Sequence, residues 1–417
     1  MRIYRIAATP QLATAWLTMF LVGTELFVIS PLLPDIAVDF GLSTAMAGWS
    51  VAMFSITYAL SAPLLARFSD RVGRRRVLVS SLLTFAAANS ITATAADWPS
   101  LLAARAFAGA AAAGISPSVY ALVVGAAPAD RRATWLGITV SGLLVSLALG
   151  APGGALAGAS LGWSSVFTGL ACVSVILAWL NLRVWAEESS RAEPCCPKAP
   201  PRLGVRGLTR RLAPTIVWSM GVYAVYTYLG AGLTALGFST GQMAWAILSY
   251  GCGAIAGALI GGRVADRFGV KVTTGASLAG LCVCFLLLRL AVDTGVPVEP
   301  FLGVCSAVAQ LFFPAQQVGL ANDFPDQRST VLAWNNSALF FGIALGSLVG
   351  GAAVRQGNFD ATLTISAGIA MLGCLIVGVV LPCPATPDAK RTQGSRWRIF
   401  SRICHRCRGD RRVMGCL

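Results

Sequence analysis

The stretch Asp70-Arg71-Val72-Gly73 returns 196 residues later as Asp266-Arg267-Phe268-Gly269, and each copy lies between long apolar segments. The same spacing relates further pairs of identical residues: Asp130 and Asp326, Arg132 and Arg328, Ser141 and Ser337, Gly150 and Gly346, and Gly154 and Gly350. A spacing kept at so many positions predicts that the chain contains two copies of one structural unit.

The composition predicts that this duplicated unit lies in a membrane. Charged residues make up 12% of the chain and hydrophobic residues 56%, whereas a soluble domain carries about 25% charged residues. So few charges cannot cover the surface of a soluble protein of 417 residues. Because duplicated membrane units are typical of secondary transporters, transport is the expected activity.

Twelve apolar segments have about the 20 residues that a helix needs to cross a bilayer. They predict an all-α fold with helices at 12–33, 46–66, 77–96, 100–125, 134–158, 164–186, 214–236, 242–262, 270–291, 299–321, 331–353 and 361–382. The polar, proline-containing segment between the sixth and seventh helices predicts a linker. The expected domains are therefore a six-helix bundle at 1–186, a cytoplasmic linker at 187–213, a second six-helix bundle at 214–382 and a basic tail at 383–417.

The net charge of +15 is explained by topology rather than by nucleic-acid binding. All of the 32 Lys and Arg residues except Arg105, Arg289 and Arg355 fall in segments that share one side of the predicted membrane. The positive-inside rule places that side in the cytoplasm, together with both termini. The basic surplus also favours contact with anionic membrane lipid.

The duplicated turns supply the first candidate functional residues, which we interpret as a gate. These residues are Asp70, Arg71, Gly73, Arg74 and Arg75 in the first copy, and Asp266, Arg267, Gly269 and Lys271 in the second. Glycine permits a tight turn between two helices, and the carboxylate can accept hydrogen bonds from a helix N-terminus. The arginines can bridge to acids across the boundary between the two halves and hold one face closed. The alternative is that these charges serve topology alone.

The fifth predicted helix carries Gly150, Pro152, Gly153 and Gly154. Small residues at helical spacing allow two helix backbones to approach closely, and proline permits a bend. Close packing is a sufficient explanation of this stretch, and a role in transport is the alternative.

Glu25 and Arg105 are charged residues at membrane depth. At 1.5 Å per residue, Glu25 lies ~12 Å and Arg105 ~8 Å from the outer side, so their depths match within the reach of an arginine. A charge at mid-bilayer costs at least ~2.5–3.5 kcal/mol and by default marks a pathway. We interpret Glu25 as the proton-binding group and Arg105 as the residue that tunes it, with Asp35 as a subsidiary candidate. A structural ion pair, or a neutral Glu25 that only joins helices, is the alternative.

These motifs resemble those of the major facilitator superfamily. The two turns resemble its Gly-x-Leu-Ala-Asp-Arg-x-Gly-Arg-Arg/Lys signature, although Ala66 replaces the first glycine and Val270 stands where arginine is expected. Gly150-Ala151-Pro152-Gly153-Gly154 resembles an element of its drug:proton antiporter branch, and Arg105-x-x-x-Gly109 resembles a motif assigned to proton coupling.

A narrower resemblance lies in the first half of the chain. Gly23-Thr24-Glu25-Leu26-Phe27 and Leu33-Pro34-Asp35-Ile36-Ala37 resemble bacterial efflux permeases related to the arabinose and purine-nucleoside exporters. The two resemblances imply two pseudo-symmetric six-helix bundles in a bacterial inner membrane. They also imply proton-coupled export of drugs, sugars or nucleosides by alternating access.

Aromatic and amide side chains in the predicted helices are the candidates for binding a small-molecule substrate, because such groups suit partly apolar solutes. They are Phe54, Tyr58, Tyr223, Tyr226, Gln310, Gln317, Trp334, Asn335 and Asn336. Each of them is also suited to plain helix packing. We expect a monomer driven by the proton gradient, with no further cofactor. No metal is expected either, because Cys404-His405-Arg406-Cys407 offers three ligands where a closed zinc site needs four.

Three alternatives to export remain at this level. Proton-coupled uptake would use the same carboxyl group, since one acid serves either direction of transport. A non-transporting membrane sensor would require a sizeable signalling domain, and the longest predicted soluble segment is the tail. A membrane enzyme is disfavoured because the single histidine lies in that tail.

Overall fold

The computed structural model describes residues 10–128, 130–186 and 205–380. Most of the predicted linker (187–204) and the whole predicted tail lie outside the described residues, as does the Cys404–Cys407 stretch. Residues up to Val380 belong to one compact unit, and the domain boundaries proposed from sequence stay a prediction.

Within the described residues, twelve helices are long and apolar enough to cross a membrane, which confirms the predicted fold class. They are α1 (Pro10–Asp39), α2 (Thr44–Ser69), α3 (Arg74–Ala93), α4 (Trp98–Ala126), α5 (Thr134–Leu161), α6 (Trp163–Val184), α7 (Gly207–Ala235), α8 (Thr240–Phe268), α9 (Val270–Val292), α10 (Glu299–Asp323), α11 (Thr330–Gln356) and α12 (Asn358–Val379). Below, α1–α6 are called the first half and α7–α12 the second half.

Some helix bounds differ from the prediction for local reasons. The first helix continues to Asp39 instead of ending at 33, with Pro31 and Pro34 inside it, because membrane helices tolerate proline where neighbouring groups satisfy the freed backbone. Helical hydrogen bonding also runs unbroken over Arg328–Val380, where two helices and a loop were expected. Asn358, whose φ is 63°, lies at the boundary between α11 and α12, and asparagine tolerates this left-handed conformation.

Three of the helices are irregular along their length. The tenth span breaks at Leu311, between Glu299–Gln310 and Phe312–Asp323. The second span consists of a short helix, Thr44–Ala47, and a long one, Trp49–Val72, that meet at Gly48. The fifth span runs as Arg132–Val145, then one π-helical turn at Ser146–Gly150, then Ala151–Leu161. Single π-turns inside α-helices occur frequently at functional sites.

The two duplicated turns have the same backbone. Gly73 alone, with a φ of 100°, separates the helix that ends at Val72 from α3, and Gly269 alone separates α8 from α9 with a φ of 86°. A side chain at either position would be strained, because glycine readily adopts positive φ and other residues do not. We call the end of the molecule that carries these turns the basic end.

The two halves contact each other from the middle of the helices to the side that lies opposite the basic end. Ser30 Oγ donates a hydrogen bond of 2.5 Å to the Tyr226 carbonyl, and these residues are repeat equivalents, 196 positions apart. A residue that touches its own equivalent lies at the pseudo-twofold axis. Ser347 Oγ of α11 donates to the Gly48 carbonyl at 2.7 Å, and Gly251 of α8 lies directly on the backbone of Ala148 in α5. We call this contact region the seam.

Candidate functional site

A buried ion pair joins α1 to α4 in the first half. Glu25 is 0% exposed and Arg105 is 1% exposed, and Arg105 Nη1 donates a hydrogen bond of 2.5 Å to Glu25 Oε1. The two charged residues that the sequence placed at matching depths are therefore in direct contact. Because the pair is inside the helix bundle and not against lipid, its interaction is screened little by water.

Asn89 of α3 completes the polar cluster, and sequence reasoning missed it. Its Nδ2 donates to Glu25 Oε2 at 3.3 Å and to the Phe85 carbonyl at 2.9 Å. Asn89 Oδ1 and Arg105 Nε are buried without a hydrogen-bond partner among the described residues. An asparagine within an apolar membrane helix was the available signal, since a polar group there needs a partner.

Two aromatic rings flank the Arg105 guanidinium. Arg105 Cζ lies 4.8 Å from the centre of the Phe54 ring in α2 and 5.7 Å from that of Phe167 in α6. At these distances a cation is attracted to the electron-rich face of a ring. Phe54 was expected to line a substrate cavity and instead packs in the core beside Arg105. Phe167 was not singled out from the sequence.

The polar cluster has no counterpart in the second half. The repeat equivalents of Glu25, Asn89 and Arg105 are Gly221, Phe285 and Phe301. The duplication therefore does not account for these three polar residues, and the structure provides one such site rather than two. If Glu25 took up a proton, the Arg105 charge would lose its counter-ion while still buried. Because an unpaired buried charge is costly, proton uptake at Glu25 favours a rearrangement around Arg105.

Asp35 lies apart from this cluster. Its side chain is exposed near the end of α1, whereas Glu25 is wholly buried almost three helical turns away. The neighbouring acid Asp39 has the clearer contact, since its Oδ2 accepts a hydrogen bond of 2.5 Å from Trp163 Nε1.

At the basic end, the duplicated turns make contacts that repeat between the halves. Arg75 Nη2 donates to the Leu182 carbonyl at 2.5 Å, and Lys271 Nζ donates to the Gly378 carbonyl at 3.1 Å. Both members of the second pair lie 196 positions after those of the first.

Arg75 and Lys271 each bind a helix end within their own half. These contacts do not test the predicted bridge from the arginines to acids across the two halves, which stays a prediction. The last carbonyls of a helix lack intrahelical donors and carry partial negative charge, which attracts a cation. Asp266 is exposed, and the side chain of Asp70 lies outside the described residues.

The glycines of α5 pack against the segment of α1 that carries Glu25. A methyl group added to Gly150 would collide with Thr24, and one added to Gly154 would collide with Val28, whereas Gly153 faces open space. Pro152 is buried directly after the π-helical turn. The close approach of α5 to α1 therefore explains the small residues at two of these positions.

The remaining candidate substrate residues divide into two groups. Tyr58, Tyr226 and Asn335 are buried in helix packing in this structure, and their assignment to substrate binding stays a prediction. Asn336 donates from Nδ2 to the Tyr58 hydroxyl at 3.1 Å, and Tyr226 donates to the Phe27 carbonyl at 3.0 Å. The half-buried or exposed members are Tyr223, Gln310, Gln317, Asn336 and Trp334.

An aromatic cluster in the second half extends this group. The Tyr226 ring lies 5.3 Å from the ring of Tyr250 in α8 and 6.1 Å from that of Tyr223, centre to centre. Tyr250 was not predicted from sequence, although a tyrosine at membrane depth was the available signal.

The fold and the repeated turns define a class of protein: a polytopic helical transporter built from two related halves. The chain belongs to the Major Facilitator Superfamily, whose family profile matches it twice, over residues 15–234 and 212–406.

Relatives and solved structures agree with this assignment. The chain is 26% identical over 374 residues to the uncharacterized MFS-type transporter YbcL of Bacillus subtilis (strain 168), covering 88% of this chain and 96% of YbcL. It is 30% identical over 252 residues to a chloramphenicol resistance protein of Streptomyces lividans, covering 59% of this chain and 64% of that one. Among solved structures, a D-xylose-proton symporter superposes with a TM-score of 0.77 at 19% identity, covering 89% of this chain and 98% of that chain.

Proposed function

We propose that this transporter exports small organic molecules, such as drugs, sugars or nucleosides, in exchange for protons. The observation that supports this proposal is the buried Glu25–Arg105 pair with Asn89 beside it. An ionisable residue inside a membrane bundle is by default a functional site, and no repeat equivalent makes it necessary for the fold. The exchange of solute for protons is further supported because the glycines of α5 resemble an element of the family's drug:proton antiporter branch.

In the proposed mechanism Glu25 binds the proton and Arg105 tunes its release. With the acid charged, Arg105 and Asn89 together occupy both carboxylate oxygens. With the acid protonated, the ion pair is broken and Arg105 needs new partners. The two protonation states therefore favour different helix arrangements, which is what alternating access requires.

We propose the bacterial inner membrane as the site of action, with the basic end in the cytoplasm. The distribution of Lys and Arg supports this orientation. The seam then closes the outer side, and the structure represents a state closed to the exterior. The protein is proposed to act as a monomer.

For the substrate, we propose a modest-sized and partly apolar solute. The named relative in chloramphenicol resistance supports drug export, and half-buried aromatic and amide side chains such as Tyr223, Gln310 and Gln317 suit such a ligand. Uptake in symport with protons is the second candidate, and the likeness to the D-xylose-proton symporter bears on the fold alone. Substrate flux in inside-out vesicles with an imposed pH gradient separates the two directions.

The test of proton coupling is Glu25→Gln, which removes the titratable group and keeps nearly the same shape. We expect the variant to insert into the membrane normally and to lose substrate flux driven by a pH gradient. The substrate would first be identified by a resistance and metabolite-export screen in a strain without its own efflux pumps. Transport that is unchanged in the variant at every pH would remove Glu25 from the mechanism.

Asp35→Asn is the matched comparison, because it makes the same chemical change on the same helix. Its carboxylate is exposed and outside the buried cluster, so we expect a smaller loss of flux. An equal loss would give Asp35 a share in proton coupling and move the site towards the end of α1.

A further inference from the structure

The seam contains a stacked aromatic pair that joins the first half to the second. The Tyr58 ring of α2 lies 3.5 Å from the Phe340 ring of α11, centre to centre, at an angle of 17°. Phe54, four residues before Tyr58 and therefore on the same face of α2, lies 6.5 Å from the same Phe340 ring. Asn336, one turn before Phe340, donates to the Tyr58 hydroxyl. We call these four residues the seam cluster.

The seam cluster also touches the buried ion pair. Phe54 is the ring that lies 4.8 Å from Arg105 Cζ, so one side chain contacts both Arg105 and the opposite half. The position of Phe54 is fixed by close packing, because a methyl group on Gly109 of α4 would collide with the Phe54 carbonyl. Since Gly109 lies one turn after Arg105, α4 presents both residues to α2 at the same place.

A second ring serves as an internal comparison. Phe167 also lies within cation–π distance of Arg105 Cζ, at 5.7 Å. The ring of Phe167 packs against the ring of Trp163 on the same helix, with 6.0 Å between the ring centres. Arg105 therefore has one aromatic partner that reaches the other half of the molecule and one that stays within the first half.

We propose that the seam cluster couples the charge state of Glu25 to the closure of the seam. With the ion pair formed, Arg105 rests over Phe54, and Phe54 keeps its place against Phe340 and Tyr58. When Glu25 is neutral, the buried guanidinium lacks its counter-ion and shifts to find compensation. Phe54 then moves with it, the stack between Tyr58 and Phe340 loosens, and the seam opens.

This inference rests on the proposed function in taking Glu25 as the residue that changes charge. Phe54, Tyr58, Phe340 and Asn336 are positioning residues in it, since none of them exchanges the proton. Two sites are coupled when both of them shift the equilibrium of one element between two arrangements. Here the element is the seam, which is either closed or open.

Hydrogen exchange of the full-length protein in lipid nanodiscs tests the coupling without any transport assay. Exchange is measured at one fixed pH over segments 44–58 and 336–351, which form the seam, with segment 10–20 of α1 as reference. The quantity compared is the fold-change in seam exchange that Glu25→Gln causes within each background. The backgrounds are the wild-type protein, Phe54→Leu, Phe340→Leu and Phe167→Leu, where leucine keeps apolar bulk and removes the ring.

We expect Glu25→Gln to raise seam exchange by roughly 5–150-fold, the usual range for coupling between two sites. Phe54→Leu and Phe340→Leu should abolish that fold-change, even though Phe340 belongs to the half that does not contain Glu25 and Arg105. Phe167→Leu should preserve it. Because Phe54 and Phe340 lie in different halves, misfolding of one variant leaves the other as a test.

Three outcomes would overturn the inference. The first is that Glu25→Gln leaves seam exchange unchanged in the wild-type background. The fold-change could survive both Phe54→Leu and Phe340→Leu, or Phe167→Leu could abolish it as fully as they do. Since no outcome depends on flux, a failure here is distinguishable from a failure of proton-coupled export, which the vesicle assay measures.

Discussion

At the scale of single residues, the molecule concentrates its intramembrane charge in one pair. Glu25 and Arg105 are both wholly buried and neutralise each other, and Asn89 supplies the next hydrogen bond. A buried pair is a weak source of stability compared with apolar packing, but removing one partner is strongly destabilising. The pair is therefore better explained by a role in transport than by a contribution to folding.

Arg105→Ala tests how strongly the two charges depend on each other. It should lower the free energy of unfolding by about 3–5 kcal/mol, because Glu25 loses its counter-ion while buried. Thermal unfolding in detergent at neutral pH measures the loss. The double variant Glu25→Gln with Arg105→Gln should recover part of it, since no unpaired charge remains.

Arg289→Ala is the control for removing an arginine side chain. Arg289 is exposed and donates to Thr364 Oγ1 at 2.8 Å, so its loss should cost less than about 1 kcal/mol. If both variants lowered the free energy of unfolding by the same amount, the buried pair would have no special importance for stability.

At the scale of elements, the start of α4 determines where Arg105 lies. Asp97 caps this helix: its Oδ1 accepts a hydrogen bond of 2.8 Å from the Ser100 N–H, and the Ser100 hydroxyl faces the Asp97 backbone in a capping box. Pro99 follows within the first turn, where its missing N–H has no cost. Since Arg105 comes two turns later, a well-defined first turn sets the rotation at which Arg105 meets α1.

The cap gives α4 a pH-dependent first turn. The hydrogen bonds from Ser100 lower the pKa of Asp97 below its ordinary value. The stabilisation by the charged carboxylate is therefore fully present above about pH 3.9, the ordinary pKa of aspartate. It is lost as the pH falls through the lower pKa of the folded state.

Hydrogen exchange over residues 98–101, corrected for intrinsic rates, measures this effect. Protection in the wild-type protein should fall only in that acidic range. Asp97→Ala should expose the first turn at every pH, whereas Asp97→Asn, which caps without titrating, should remove the pH dependence. A first turn equally protected in all three proteins would show that packing alone defines it.

At the scale of the whole molecule, the two halves are held together along the seam by very close backbone contacts. Gly230 of α7 lies against the Ser30 carbonyl of α1, and Gly251 of α8 lies against the backbone of Ala148. The Ala148 contact falls in the π-helical turn of α5. Glycine at such positions lets the halves close, and rocking of the halves must separate these contacts.

Gly251→Ala should wedge the seam open. The added methyl group would overlap the Ala148 backbone, which cannot move aside without shifting α5. We expect faster hydrogen exchange over segments 144–152 and 247–255 and a lower transport rate with normal insertion.

Gly241→Ala is the matched control on the same helix. A methyl group there meets no atom within 4 Å, so exchange at the seam and transport should stay as in the wild-type protein. Equal behaviour of the two variants would mean that the contact at Gly251 does not hold the halves together.

The sequence by itself determined the number of helices and the duplicated architecture. The reason is that a chain in lipid must satisfy every backbone hydrogen bond internally, so a long apolar segment has little choice but to form a helix. It also placed Glu25 and Arg105 at one depth, because depth follows from the rise per residue.

Only the tertiary structure decided which side chains meet. In helices that are apolar on nearly every face, the hydrophobic pattern does not specify the rotation of one helix against the next. Asn89 and Phe167 could therefore not be assigned to the Glu25 site in advance, and Phe54 was assigned to a cavity. The hydrogen bonds from Arg75 and Lys271 to helix ends have the same origin. Contacts depend on helix rotation, which packing of all twelve helices fixes and local sequence does not.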